Sequence, residues 1–328
     1  MMITRRKIVI ALGAGALAPF ATLAQQPAKV YRIGFIGVGL PSNMVSRVEG
    51  LRTGLRDLGY VEGKNLFIEF RWAEGKAERL PELAAELVRL NVDLIVTHAQ
   101  GAIAAKQATS TIPIVVAATG DFVAQGLAAS LARPGGNVTG GSVFTPEVSA
   151  KGLELLKDAI PSLNRVAILL SPVLSPVSGK MTLDAIAATA KHLKVTTPQF
   201  IVQGGTDFEG AFAAMVKQRV GAVLVPDNAF INVHAKTIAD LALKHRLPLC
   251  GVPDFAEAGG MLGYGVNIPD MFRRAAVFVD KIFKGAKPGD IPIDRAIRFD
   301  MVLNMKTAKA LGVRIPNSIL VQATKVIK

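Results

Sequence analysis

The sequence contains a single cysteine, Cys250, among its 328 residues. One cysteine can form no intrachain disulfide bond and no multi-cysteine zinc or iron–sulfur site. Cys250 lies between an apolar segment and Gly251, a setting typical of a buried thiol at the end of a strand. We therefore expect a fold stabilised by packing, with no metal and no cofactor.

Long apolar runs, biased tracts and dominant repeats are also missing beyond the N-terminal region. Half of the residues are hydrophobic and 19% are charged, at a mean hydropathy of +0.38. After the N-terminus, no uncharged apolar run approaches the roughly 20 residues that a membrane-spanning helix requires. The composition excludes multi-pass membrane, collagen-like and coiled-coil architectures and favours a compact α/β protein.

Residues 1–24 have the organisation of a signal peptide. Arg5, Arg6 and Lys7 precede the apolar segment 8–17, and small residues before and at Ala24 predict cleavage after Ala24. An uncleaved anchor helix is the alternative. The pattern predicts export to the periplasm and leaves the Sec and twin-arginine routes open.

The predicted mature chain remains basic, because cleavage leaves 35 Lys and Arg residues against 25 Asp and Glu residues. These cations are scattered, with no run of five and no interleaved aromatic residues for base stacking. We therefore expect no nucleic acid as a partner. An anionic membrane surface or anionic solutes suit the charge better.

Short apolar runs alternate with amphipathic segments along the rest of the chain. Residues 30–36 form one continuous apolar run, and apolar residues recur every three or four positions over 45–58, which predicts a strand and then a helix. Further strand–helix pairs follow, up to a helix predicted over 123–131. After the glycine-rich segment 133–141 the alternation starts again, which predicts two doubly wound parallel-sheet lobes.

Glycine-rich segments are expected where the chain passes between these lobes, because glycine adopts backbone angles that other residues avoid. We predict a first lobe of residues 28–140 and 266–292 and a second lobe of residues 141–265 and 293–328. Several crossings make a hinge, to which we assign Gly136, Asn137, Gly140 and Gly265.

Ligands of open parallel sheets bind beyond the carboxyl ends of the strands. We predict ligand contacts at the six strand ends of this kind, from Leu40, Pro41, Ser42, His98, Ala99, Gln100, Thr119, Gly120, Asp121, Phe122, Ser171, Pro172, Ser175, Asp227, Asn228, Phe230, Asp254 and Tyr264.

Specific roles are assigned within that set. Ser42 and Gln100 suit a carboxylate, and Asp227 or Asp254 suits an ammonium group. Phe230 and Tyr264 are the candidates for contact with a ring. Each assignment has a structural alternative: an Asp after a strand is a common helix cap, Phe122 and Phe255 can pack beneath their loops, and His98 can bond to its loop instead of a ligand.

Enzymatic motifs are absent. The glycines at 34, 37 and 39 do not follow the dinucleotide-binding order, and no Walker lysine motif occurs. Residues 140–144 lack the second glycine of a nucleophile elbow, and the four histidines lie far apart along the chain. We therefore expect no catalytic residues and no enzymatic activity.

Several motifs carry a family resemblance. They are residues 51–65 (LRTGLRDLGYVEGKN), 71–75 (RWAEG), 131–140 (LARPGGNVTG) and 306–312 (KTAKALG). With these motifs the whole mature chain resembles ABC-transporter substrate-binding proteins related to the tryptophan/tyrosine uptake type, which have the two-lobed type I fold of periplasmic binding proteins.

The resemblance implies a receptor that closes over a small solute and delivers it to the membrane permease of an ABC importer. Aromatic or branched amino acids are the solutes it favours. We expect a monomer. Two alternatives remain open: a ligand-sensing receptor that signals to a membrane sensor, and an exported enzyme on the same fold.

Overall fold

The computed structural model describes residues 29–143, 146–171, 176–204 and 207–328. The predicted signal peptide lies outside these residues. Helices and strands alternate from the start of the described chain. In chain order its first part contains β1 (Tyr31–Gly37), α1 (Val45–Asp57), β2 (Leu66–Trp72), α2 (Leu80–Arg89), β3 (Leu94–His98), α3 (Gln100–Ala108), β4 (Ile114–Thr119) and β5 (Val138–Ser142).

The middle of the chain repeats this alternation. Its elements are α4 (Pro146–Ala159), β6 (Val166–Leu170), α5 (Pro176–Leu193), β7 (Gln199–Ile201), α6 (Asp207–Lys217), β8 (Ala222–Leu224), α7 (Ala229–Asn232), α8 (Ala235–Lys244), β9 (Leu249–Gly251), α9 (Pro253–Glu257) and β10 (Leu262–Val266).

The last part contributes to both halves of the molecule. It consists of α10 (Ile268–Phe283), β11 (Asp294–Arg295), β12 (Phe299–Asn304), α11 (Met305–Leu311), α12 (Asn317–Leu320) and β13 (Lys325–Ile327). Among the described residues, no helix combines the length and the apolar character that a membrane span requires.

Two sheets result, and they confirm the predicted two-lobed α/β fold. The sheet of lobe 1 has six parallel strands in the order β11-β5-β4-β3-β1-β2. The sheet of lobe 2 has seven strands in the order β13-β12-β10-β9-β8-β6-β7, and only the pairing of β10 with β12 is antiparallel. Helices cover both faces, so β3, β4, β6 and β8 are buried along their whole length.

Helix α10 belongs to lobe 1 although it directly follows β10, a strand of lobe 2. It packs against α1, where a Cβ atom on Gly54 would lie only 2.2 Å from the carbonyl oxygen of Arg273. The absence of a side chain at Gly54 therefore allows the two helix backbones to touch. This close contact fixes α1, and with it the loop after β1, against the returning chain.

The chain passes between the lobes three times: from β5 to α4, from β10 to α10, and from β11 to β12. The crossings lie side by side. The backbone N–H of Asn267 donates to the carbonyl of Arg298 at 3.0 Å, and the N–H of Ala296 donates to the carbonyl of Ser142 at 3.0 Å. These two bonds tie the crossings together.

The residues predicted for the hinge do not lie in these crossings. Gly136 precedes β5 within lobe 1, and the Asn137 side chain donates to the carbonyls of Thr109 and Ile112 of the same lobe. Gly140 is a middle residue of β5, and Gly265 lies inside β10. These residues lie within the lobes and not in the crossings between them, so the prediction of the hinge residues was wrong.

All three boundaries of the predicted lobes also differ, because residues 141–142 complete β5 and residues 294–295 form β11, both in lobe 1, whereas Val266 ends β10 of lobe 2. The helix predicted over 123–131 is wrong as well, since this segment forms turns. An oxygen of the Asp121 carboxylate accepts from the N–H groups of Val123 and Ala124 and holds the first turn.

Candidate functional site

We call the space between the carboxyl ends of the parallel strands of the two lobes the cleft, because the charge of Arg47 in lobe 1 acts on Asp227 in lobe 2. On the lobe 1 side, the loop after β1 leads into a short 3-10 helix over Pro41–Met44. Leu40, Pro41 and Ser42 are exposed there, as a surface for solute contact requires. The Ser42 hydroxyl donates only to the side chain of its neighbour Asn43, at 3.4 Å.

His98, at the end of β3, supports the loop after β1. Its Nε2 accepts a hydrogen bond from the backbone N–H of Val38 at 3.2 Å, and its ring lies 5.6 Å from that of Phe272. Burial, reinforced by the positive charge of Arg47, lowers the pKa of His98 to about 3. His98 is therefore a neutral acceptor that bonds to its loop, the alternative that the sequence left open.

Helix α3 begins at the cleft without a side-chain cap. The preceding residue, Ala99, has φ of 46° and ψ of −129°, a strained conformation for a residue with a Cβ atom. Gln100 follows as an exposed residue of the first turn. The N–H of Ala102 donates to the carbonyl of Ala99 at 3.1 Å, and the N–H groups of Gln100 and Gly101, at the positive end of the helix dipole, suit a carboxylate.

The loop after β4 is largely bonded to itself and to β5. The Thr119 hydroxyl donates to the side chain of Gln125 at 3.1 Å, and the carbonyl of Gly120 accepts from the Ser142 hydroxyl at 2.9 Å. Asp121 caps the turn that follows, and Phe122 is fully buried in the core of lobe 1. Asp121 and Phe122 therefore have structural roles, the first as the cap of a turn and the second as a core residue, which were the alternatives to ligand contact.

In lobe 2, the strand ends contribute buried and exposed polar groups. Asn228 is buried and caps α7 by accepting from the N–H of Ile231 at 3.1 Å. Ser171 is buried at the end of β6, and Phe255 is fully buried. Pro172 and Ser175 lie outside the described residues, as does the side chain of Phe230.

Asp227 and Asp254 are the exposed carboxylates of lobe 2 at the cleft. An oxygen of Asp227 accepts from the amide of Asn232 at 2.6 Å. The surrounding cleft walls exclude enough water to raise the pKa of Asp227, and the bond from Asn232 opposes that shift. The charge of Asp254 raises this pKa further, so the two carboxylates lie close enough to repel each other.

Arg47, in the first turn of α1, is the cation of lobe 1 whose charge acts on Asp227. Its positive charge lowers the pKa of Asp227 across the cleft as well as that of His98 on its own side. The sequence analysis missed Arg47 because it searched the strand ends, whereas Arg47 lies in the first turn of α1. An arginine in the first turn of a helix, where its charge opposes the helix dipole, was the available signal.

Tyr264 forms part of the apolar wall beside Asp227. Its ring is half-buried and stacks on Phe299 at 5.9 Å, close to the third crossing. A small cavity of about 10 Å³ opens next to it, lined by residues that include Val225, Asp227, Cys250 and Tyr264. Burial raises the pKa of both the Tyr264 hydroxyl and the Cys250 thiol.

The two walls of the cleft are therefore opposite in character. Lobe 1 presents hydrogen-bond donors, namely the first turn of α3 and the guanidinium of Arg47. Lobe 2 presents the acceptors Asp227 and Asp254 beside apolar groups. Such an arrangement can hold a small solute that carries both charges and an apolar side chain.

Comparison with known proteins agrees with this fold. A tyrosine-binding protein from Clostridioides difficile (strain R20291) is 26% identical over 268 residues, which cover 81% of this chain and 76% of that protein. The structure of an ABC domain in complex with L-Trp from Streptococcus pneumonia is 26% identical, covers 91% of this chain and 100% of that one, and superposes with a TM-score of 0.80.

A ligand-free, open substrate-binding protein with adhesive properties from Clostridium difficile shares the fold. It superposes with a TM-score of 0.75 at 24% identity, over 91% of this chain and 100% of that one. Residues 39–327 match the family described as ABC transporter substrate binding protein. Since this match spans nearly the whole described chain, the protein belongs to that family and is a substrate-binding protein of ABC transporters.

Proposed function

We propose that this protein is the periplasmic receptor of an ABC importer and captures an amino acid between its lobes by hinge closure. The observation that carries the proposal is the placement of Arg47 in the first turn of α1, at the carboxyl edge of the lobe 1 sheet, and of Asp227 and Asp254 after β8 and β9, at the carboxyl edge of the lobe 2 sheet. A cationic wall opposite an anionic wall complements the two charges of an amino acid.

The binding free energy that such a site requires is modest. Micromolar affinity corresponds to about 8 kcal/mol. Hydrogen bonds to charged groups contribute roughly 1.5 to 3 kcal/mol each, so a few such bonds and one buried apolar side chain suffice. The half-buried ring of Tyr264 is the candidate surface for that side chain.

The relatives support an amino acid as the solute. One curated relative is named as a tyrosine-binding protein, and a similar solved structure is in complex with L-Trp. We therefore place aromatic amino acids first among the solutes to test. Ser42 and Gln100 remain our candidates for contact with the solute, because both are exposed at the cleft in lobe 1.

The three crossings between the lobes allow the lobes to close as on a hinge. Since the donors and the acceptors lie on different lobes, only a closed form lets one solute contact both sets. The permease then receives the closed, loaded form. The predicted signal peptide, residues 1–24, supports a periplasmic location.

Thermal-shift measurements on the mature protein with the twenty amino acids and a set of aromatic acids test the solute. A ligand that binds only the native state raises the melting temperature, so we expect a clear rise with one amino-acid class. Small-angle scattering with that ligand should show a decrease in the radius of gyration, since the lobes close.

Native mass spectrometry completes the test. A stoichiometric and chemically unaltered amino acid supports the receptor. A bound molecule that is recovered chemically changed would overturn the proposal in favour of an exported enzyme, and binding without any change in the radius of gyration would contradict hinge closure.

A further inference from the structure

Arg47 is a half-buried cation whose own lobe supplies no counterion. Its Nη1 atom lies 3.5 Å from the Sδ atom of Met44, and in the described part of the chain no carboxylate comes within salt-bridge distance of it. A thioether is a weak acceptor. Four of the five guanidinium donors are therefore free to bind something else.

The position of Arg47 in its helix is also unfavourable. It is the third residue of α1, whose first turn contains no acidic residue, and the N-terminal end of a helix disfavours a positive charge. The other cations of this helix form ion pairs: Arg52 with Glu62 at 2.8 Å and Arg56 with Glu49 at 3.6 Å. Arg47 alone lacks such a partner within the described residues, so local stability does not explain it.

Arg47 lies in the first turn of α1, directly after the loop that follows β1, and therefore at the carboxyl edge of the lobe 1 sheet, while Asp227 and Asp254 follow β8 and β9 at the carboxyl edge of the lobe 2 sheet. The guanidinium acts electrostatically on His98, beside the start of α3, and on Asp227 across the cleft. His98 itself is buried, neutral and bonded to Val38. The free cation and the exposed carboxylates Asp227 and Asp254 are therefore the two charged partners that the cleft offers.

We propose that Arg47 binds the carboxylate of the solute while Asp227 and Asp254 bind its ammonium group, so that the site selects molecules carrying both. This inference rests on the proposed capture of an amino acid. The planar guanidinium can form two parallel hydrogen bonds to one carboxylate, which a lysine cannot. A solute held in this way on lobe 1 presents its ammonium group to lobe 2 as the cleft closes.

The test compares ligands that differ in one charge. Isothermal titration calorimetry is performed with L-tryptophan, L-tyrosine and L-leucine, each beside its carboxamide, which keeps the ammonium group and lacks the carboxylate. The proteins are the unsubstituted chain, Arg47→Gln and Arg47→Lys. Arg56→Gln, with the same charge change on an exposed part of the same helix, is the matched control.

We expect Arg47→Gln to weaken binding of the amino acid roughly 10- to 100-fold and to change binding of the amide by less than about threefold. Arg47→Lys should lie between, since it keeps the charge without the planar fork. Arg56→Gln should leave all affinities unchanged. Melting temperatures of each variant, measured without ligand, establish that all are folded.

Two failures are distinguishable. If Arg47→Gln weakens binding of acid and amide equally, or weakens neither, the assigned role of Arg47 is overturned and amino-acid capture stays intact. Equal weakening would mean that Arg47 instead stabilises a contact between the lobes. Absence of binding by the unsubstituted chain across the amino acids would overturn the proposed capture itself, and the role of Arg47 with it.

Discussion

Nε2 of His98 accepts a hydrogen bond from the backbone N–H of Val38, and this bond joins the end of β3 to the loop after β1. The ring is almost completely buried, so the bond forms only with the neutral imidazole. The geometry of the loop after β1 in lobe 1 therefore depends on this histidine.

This burial predicts an acid-sensitive fold. The pKa of His98 is about 3 in the folded protein, against an ordinary value of 6.5. The unfolded chain therefore binds a proton between these values and the folded protein does not, so the free energy of unfolding falls as pH falls from about 6.5 toward 3. We expect a loss of a few kcal/mol from this group over that range, measured by urea unfolding at several pH values.

Substitutions of His98 separate titration from bonding. His98→Gln places an acceptor near Nε2 and should flatten the acid dependence. His98→Leu should flatten it too, but it leaves the Val38 N–H without its partner and should cost roughly 1 to 3 kcal/mol at neutral pH. The exposed His192 is the control, and His192→Gln should change nothing. An unchanged acid dependence in His98→Gln would contradict this account.

The raised pKa of Asp227 predicts a pH-dependent affinity. Binding of an ammonium group requires the ionised carboxylate, so affinity for an amino acid should fall as pH falls through the pKa of Asp227, at a higher pH than an ordinary Asp would require. Asp227→Asn should weaken binding roughly tenfold or more and remove this dependence. Calorimetry over a range of pH is the measurement.

Asp254→Asn provides the comparison for Asp227. Removing the repelling charge of Asp254 lowers the pKa of Asp227, so the fall in affinity should move to lower pH. A midpoint that stays in place, or moves upward, would mean that the two carboxylates do not interact as the structure indicates.

Gly140 is predicted to be a packing position. Its φ is 142°, and a Cβ atom there would lie 2.0 Å from the carbonyl oxygen of Val116 in the neighbouring strand. Gly140→Ala should therefore lower the free energy of unfolding by roughly 2 to 5 kcal/mol, measured by denaturant unfolding.

Gly136 is the matched control for Gly140, since no atom lies within 4 Å of the position that its Cβ would take. Gly136→Ala should change stability by less than about 0.5 kcal/mol. Equal effects of the two substitutions would refute the packing account. Neither should alter closure on ligand binding, because both residues belong to lobe 1.

The fold could be predicted because its signals are local. Apolar residues at the helical spacing over 45–58 gave α1, and the apolar runs gave β1, β3 and β6. The prediction of a helix over 123–131 failed because this segment forms turns, with Phe122 and Leu127 buried in the core of lobe 1. Periodicity alone does not distinguish such turns from a helix.

The candidate site could be predicted only as a set of loops. Asn228, Asp121 and His98 each lie at a strand end, as expected, yet each bonds to its own loop or to a neighbouring one. The sequence analysis did not select Arg47, because an arginine on an amphipathic helix has the same sequence pattern as any solvent-exposed cation. Its lack of a counterion within lobe 1 becomes visible only when the neighbouring elements are in place.

The sequence by itself determined the alternation of strands and helices and the two-lobed class, because each depends on residues within one turn or one strand. The tertiary structure decided which polar groups remain free. Val38 and His98 are 60 residues apart, and Arg47 and Asp227 belong to different lobes. Hydrogen bonding and charge pairing depend on distance in space, which local patterns along a chain do not specify.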